Sequence, residues 1–112
     1  MTDKIIALVT CASRVEARRI ARVLVESRLA ACVNVIGAPV ESIYTWQGKV
    51  ETSREFLLLV KTSRKRFAAI ESRVRRMHSY DLPEIVAVPI ERGSQPYLAW
   101  ISKTTKRAKA HA

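Results

Sequence analysis

Glu55-Phe56-Leu57-Leu58-Leu59-Val60-Lys61 decides the fold, because it has one reading only. Five consecutive apolar residues with a charge at each end are too few for a globular helix, and they fit a strand buried on both faces. Working back from it, Val40–Trp46 alternates and is rich in β-branched and aromatic residues, which marks a second strand. Gln47-Gly48-Lys49 is the turn between them, and the chain from Val50 onward pairs back as a hairpin. Working forward, Thr62 or Ser63 is expected to cap a helix in which Phe67, Ile70, Val74 and Met77 recur at steps of three and four. Glu84–Ile90 follows as a last strand, its ends fixed by Pro83 and Pro89.

The N-terminal part repeats this pattern. Ile5–Val9 is a short apolar strand, and Cys32–Ile36 is another, stopped by Gly37-Ala38-Pro39. Between them Ser13 and Glu16 make a capping-box pattern. Ala17, Ile20, Ala21 and Leu24 then line one face of an amphipathic helix over roughly Arg14–Ser27. Tyr97, Leu98, Trp100 and Ile101 predict a short closing helix. The order is therefore β-α-β, a hairpin extension, then β-α-β. Two right-handed crossovers of this kind give an α+β, ferredoxin-like sandwich with both helices on one sheet face. The other face would be bare although its strands are apolar, so a homo-oligomer packing sheet to sheet is expected.

At 112 residues the chain is one domain. Residues 1–102 are expected to form it, with 103–112 as a basic, frayed tail. No apolar run approaches the roughly 18 residues of a membrane span, and no secretory leader is evident, so a cytoplasmic location is expected. Cys11 and Cys32 read as free thiols in a reducing compartment. The formal net charge of +10 suits a polyanionic partner, but the cations are spread over helix faces without interleaved aromatics, so solvated surfaces are expected and nucleic acid is not.

His78-Ser79-Tyr80-Asp81-Leu82-Pro83-Glu84 concentrates most of the chemistry. Its residue types can bind a metal, move a proton or tie a helix end to a strand. For a metal, His78 with Cys11 and Cys32 would offer imidazole and thiolates suited to a soft ion such as copper, and Met77 adds a thioether. No Cys-x-x-Cys or His-x-x-x-His chelate exists, and Met77 and Cys32 equally fit the core. As a protonated C-terminal residue of its helix, His78 would also oppose the helix dipole without any metal. An enzymatic reading lacks a nucleophile paired with a base, and three glycines supply no phosphate loop, so no catalytic activity and no required cofactor are expected. Tyr44, Trp46, Lys61, Tyr80 and Glu84 are candidates to line a cleft between subunits.

Four blocks at these spacings resemble the CutA family, the divalent-cation tolerance proteins. They are Leu29-Ala30-Ala31-Cys32-Val33-Asn34-Val35, Ser42-Ile43-Tyr44-Thr45-Trp46-Gln47-Gly48-Lys49, His78–Glu84 and Tyr97-Leu98-Ala99-Trp100, with Lys61-Thr62 also fitting. The resemblance implies a ferredoxin-like subunit in a tight homotrimer, cytoplasmic in bacteria, linked to tolerance of copper and other divalent metals. It also departs from the family: Ser79 follows His78 where a proline is usual, Val9 stands where a first-strand ligand would be, and the first turn reads Thr10-Cys11-Ala12-Ser13. A trimeric small-molecule sensor of the PII type has a similar subunit fold and is the alternative, by analogy of fold alone.

Overall fold

A computed structural model describes residues 2–106. Its spine is one strand. The hairpin return and the apolar run, expected as separate segments, form a single strand of 15 residues, Lys49–Ser63. No glycine or proline interrupts this stretch, so nothing forces the backbone out of the extended region. In chain order the elements are β1 (Lys4–Cys11), α1 (Arg14–Glu26), β2 (Cys32–Val35), β3 (Val40–Trp46), β4 (Lys49–Ser63), α2 (Phe67–Met77), β5 (Ile85–Pro89) and α3 (Gln95–Thr104). The five strands form an antiparallel α+β arrangement in the order β2-β4-β1-β5, with β3 paired to β4 alone. The first part of β4 pairs with β3 to make an arm, and Phe56–Ser63 lies between β1 and β2 in the body.

The arm turns at Gln47 and Gly48, whose φ values of 51° and 79° are both left-handed. A two-residue turn of that hand matches the twist of the flanking strands, which is why glycine sits at its second position.

Side chains of β1 alternate. Ile5, Ala7, Val9 and Cys11 are buried under the helices, with Leu58 and Val60 of β4 beside them. Against them pack Ala17, Ile20 and Leu24 of α1 and Ile70 and Val74 of α2, all fully buried. Burying side chains of this size contributes about 1.5–3 kcal/mol each. Ile6, Leu8, Leu57, Leu59, Val86 and Val88 point to the other face by the same alternation, and Val86 and Val88 are 49% and 45% exposed. Helix α3 covers only one end of that face. Its Tyr97 ring lies 6.0 Å from Lys61 Nζ, Thr105 Oγ1 meets Ser63 Oγ at 3.5 Å, and Arg66 Nε donates to the Thr105 carbonyl at 2.9 Å.

Ser13 caps α1 as expected, its hydroxyl accepting from the Glu16 amide at 3.1 Å. At the other end Leu29 N–H bonds Leu24 O and Arg28 N–H bonds Val25 O, the paired closure of a helix whose next residue is left-handed. Arg28 occupies that position at φ 61°. The expected cap of α2 fails. Thr62 Oγ1 donates instead to the Leu29 carbonyl at 2.6 Å, Ser63 turns to Thr105, and a 3-10 turn over Arg64–Arg66 precedes the helix. Both hydroxyls are buried, so long-range partners take them before the helix end can.

Helix α3 starts at a Ser94 cap and runs through Lys103 and Thr104, past the boundary expected at 102, and Thr105 is buried. Residues 107–112 of the expected tail lie outside the described residues. Among the described residues, no helix is long and apolar enough to cross a membrane.

Candidate functional site

Three elements end at one point. β1 delivers Thr10 and Cys11, the first turn of α1 delivers Glu16, and the C-terminus of α2 delivers His78. The Cys11 thiol, a Glu16 carboxylate oxygen and a His78 ring nitrogen lie within 4.8 Å of one another. The imidazole is fully buried. Its Nε2 lies 2.7 Å from the Thr10 carbonyl and its Nδ1 3.0 Å from the Tyr80 amide. A carbonyl can only accept and an amide can only donate, so the proton is assigned to Nε2 and Nδ1 is an acceptor. Glu16 Oε1 stands 3.9 Å from that Nδ1.

Glu16 also organises the loop. Its Oε2 accepts from the Ser79 amide at 3.0 Å, and its Oε1 accepts from the Ala12 amide at 3.4 Å. The capping box is thus half made: the carboxylate reaches Ala12, one residue before the cap, and gives its other oxygen to a segment 63 residues away. Burial, then the negative charges of Glu16 and Glu55, push the Cys11 thiol up to about 12. The protonated thiol is a weak ligand and a weak nucleophile. A soft or borderline ion at this point would have to displace the thiol proton and take His78 Nδ1 from the Tyr80 amide.

Cys32 does not join the cluster. It pairs with Lys61, while Cys11 pairs with Phe56, five residues away along β4. That is about 17 Å of strand, and the two side chains fall on opposite faces. Met77 is half-buried against the core, and both cysteines are free thiols.

A second region opens on the other side of the same loop. Tyr44, Trp46, Tyr80 and Glu84, four of the expected cleft residues, line one groove of about 660 Å³ with Thr10, Glu55, Asp81 and Leu82. Lys61 stands apart, six residues from Glu55 along β4 and under Tyr97. Tyr80 joins the two regions. Its ring lies 4.8 Å from that of His78, and its phenol faces the charge of Glu55. Burial and the neighbouring Glu55 push the Tyr80 phenol up to about 12.

The same fold is found in known proteins. A family model described as CutA1 divalent ion tolerance protein matches residues 5–104. The chain belongs to the CutA1 family. The CutA divalent-cation tolerance protein of Thermus thermophilus is 48% identical over 100 residues, covering 89% of this chain and 96% of its own. The structure of an Archaeoglobus fulgidus relative, described as a periplasmic divalent cation tolerance protein CutA, superposes with a TM-score of 0.89 at 44% identity, over 92% of this chain and 99% of its own. That of CutA1 from Oryza sativa gives 0.90 at 36% identity, over 96% and 97%.

Within this CutA1 chain, sequence reading misses Glu16 and Glu55 as site residues. Glu16 carries only a capping signal, and Glu55 only a charge heading an apolar strand. The usable clue to Glu55 is its parity with Leu57 and Leu59, which puts it on the face away from the helices.

Proposed function

We propose that this chain is a trimeric divalent-cation tolerance protein with a ferredoxin-like subunit, holding copper or a similar soft ion through Cys11 and His78, with Glu16 as third donor. The convergence of those three donor atoms within 4.8 Å carries the reading. Thiolate and imidazole select a soft ion, and the carboxylate offsets its charge in a buried setting. Cys32 is left out of the set because it faces the other side of the sheet.

The partly covered face of Ile6, Leu8, Leu57, Leu59, Val86 and Val88 supports an assembly of copies packed sheet to sheet. Light scattering should then give three times the 12.6 kDa chain mass, and a monomer or dimer mass rejects the trimer. The two free thiols support a cytoplasmic location, which cell fractionation tests against the periplasm. No catalytic role is assigned, since the one thiol beside a histidine is held protonated.

Competition with a chromogenic copper(I) chelator tests the metal site. The unsubstituted protein should retain copper, and Cys11→Ser and His78→Asn should each release it to the chelator. Retention unchanged in folded variants overturns the assignment. The groove of Tyr44, Trp46 and Tyr80 favours a second reading, a trimeric small-molecule sensor that needs no metal.

A further inference from the structure

Along the chain the cations look scattered, but the fold collects many of them on one side. Helix α1 carries Arg14, Arg18, Arg19 and Arg22, helix α2 carries Arg73, Arg75 and Arg76, and neither carries a lysine. The apolar sides of both helices are turned to the core, where Ala17, Ile20, Leu24, Ile70 and Val74 are fully buried. The arginines are left on the outward side, all of them exposed except the half-buried Arg73. Arg19 donates to the Met77 carbonyl at 3.4 Å, which sets the first half of α1 beside the last turns of α2. Arg75 and Arg76 thus join the arginines of α1 in one face.

Acidic residues do not neutralise this face. Glu16 is buried and turned to Ser79, and Glu26 holds Arg22 at 3.6 Å. Among the described residues no salt bridge joins Glu71 to Arg75, four residues on, and none reaches Arg18, Arg73 or Arg76. Helix stability does not explain the pattern either. Arg14, Arg18 and Arg22 follow at steps of four, and like charges at that spacing repel one another. The turn of Arg64-Lys65-Arg66 precedes α2, whose first turn holds no acidic residue, so cations stand at the positive end of its dipole. Only Arg75 and Arg76, in the last turn, are placed where the dipole favours them.

The choice of arginine narrows the partner. A guanidinium fork meets two phosphate oxygens at once, which an ammonium cannot do. Neither helix carries asparagine or glutamine to read adenine edges, and their one aromatic residue, Phe67, packs on the core, so no ring is open to stack on an unpaired base. A membrane-bound face would set a row of large apolar residues among the cations, whereas Val15 and Val25 of α1 are the only exposed ones on these helices. A duplex offers closely spaced phosphates and asks for neither bases nor an apolar foothold.

We infer that the outward face of α1 and α2 binds double-stranded nucleic acid through its phosphate backbone, without regard to sequence, with Arg18, Arg75 and Arg76 as contacts. The sheet-to-sheet assembly proposed above turns the helices outward, so each copy presents its own face. No donor of the Cys11–Glu16–His78 cluster takes part.

Fluorescence anisotropy of a short labelled DNA duplex, titrated with the full chain in about 50 mM salt, tests the inference. Binding should saturate, and it should weaken with salt at a log–log slope of about −0.9 for each phosphate engaged. The combined variant Arg18→Gln, Arg75→Gln and Arg76→Gln should bind about tenfold more weakly and flatten that slope by about 2–3. Lys49→Gln, Arg92→Gln and Lys103→Gln together remove the same charge from the arm, the loop after β5 and α3, and should weaken binding by about twofold at most. Arg18→Gln alone should leave the thermal midpoint unchanged or raise it, since it relieves repulsion from Arg14 and Arg22. Equal losses in the two combined variants overturn the inference, because net charge alone would then explain binding. So do absence of duplex binding by the unsubstituted chain, tighter binding to phosphatidylserine vesicles than to the duplex, and a lowered midpoint in Arg18→Gln, which would make that arginine structural. Light scattering on the same preparation separates these failures from a failure of the trimer reading.

Discussion

Two sites share one loop and are built in opposite ways. On the helix side of the sheet, Cys11, Glu16 and His78 are closed off, the Glu16 carboxylate accepts from two amides, and the imidazole is locked by two backbone groups. On the other side the arm leaves Tyr44 and Trp46 open over a groove whose one deeply buried charge, Glu55, lacks a salt bridge among the described residues. The contrast separates a site whose occupant must displace existing bonds from a surface where it need not. A fully bonded cluster gives up energy when anything enters it, whereas an open aromatic surface loses only water.

Substitution makes that contrast measurable. Glu16→Ala should be the most damaging change, since it strands the Ser79 amide and weakens the hold on Ala12 inside the protein. A loss of about 3 kcal/mol is expected in urea unfolding. A loss near zero would mean that the loop over 78–81 is held by something other than this carboxylate.

Alkaline pH should come next. The folded protein raises the Cys11 thiol from 9.0 to about 12, and the unfolded chain does not. The thiol's contribution to stability is therefore complete below pH 9 and fades as the pH rises toward 12, because only the unfolded state releases the proton in that window. Tyr80, raised from 10.0 to about 12, adds to the upper part of the same decline. The thermal midpoint should fall across this range, and Cys11→Ala should flatten the slope. An identical slope in that variant would assign the decline to other groups.

Tyr80→Phe should matter less, with a loss of about 1 kcal/mol, because it removes only the polar interaction of the phenol with Glu55. Loss of stability equal to that of Glu16→Ala would erase the distinction between a closed and an open side. The smallest effect expected is a gain. Arg28→Gly relieves a left-handed residue at the end of α1 and should stabilise by about 0.5–1 kcal/mol in the same assay.

Much of the fold was legible because it depends on short-range periodicity. An unbroken apolar run marks β1, two-residue alternation marks β3, and three- and four-residue steps mark α1 and α2, each within a few neighbours. Joining the hairpin return to the apolar run was harder, since Thr52-Ser53-Arg54 looks like a break until pairing with Ile43, Ser42 and Glu41 is known. The site was half legible for the same reason. His78 and Cys11 stand out by residue type, but Cys32 could be set aside only through the register of β2 on β4. Glu16 needed a bond to Ser79, and no local pattern reports a contact across 63 residues.

The unbroken β4 has a geometric consequence. Its 15 residues span about 50 Å, and the longest extent of the molecule is 48 Å, so one strand sets the length of the whole body. The arm is therefore an adjustable dimension. Adding two residues to each of β3 and β4 beside the Gln47-Gly48 turn would move the tip outward by about 7 Å without exchanging inner and outer faces. Adding one to each would turn the aromatic side of the tip to the back. The reach of the arm is thus quantised in steps of two residues.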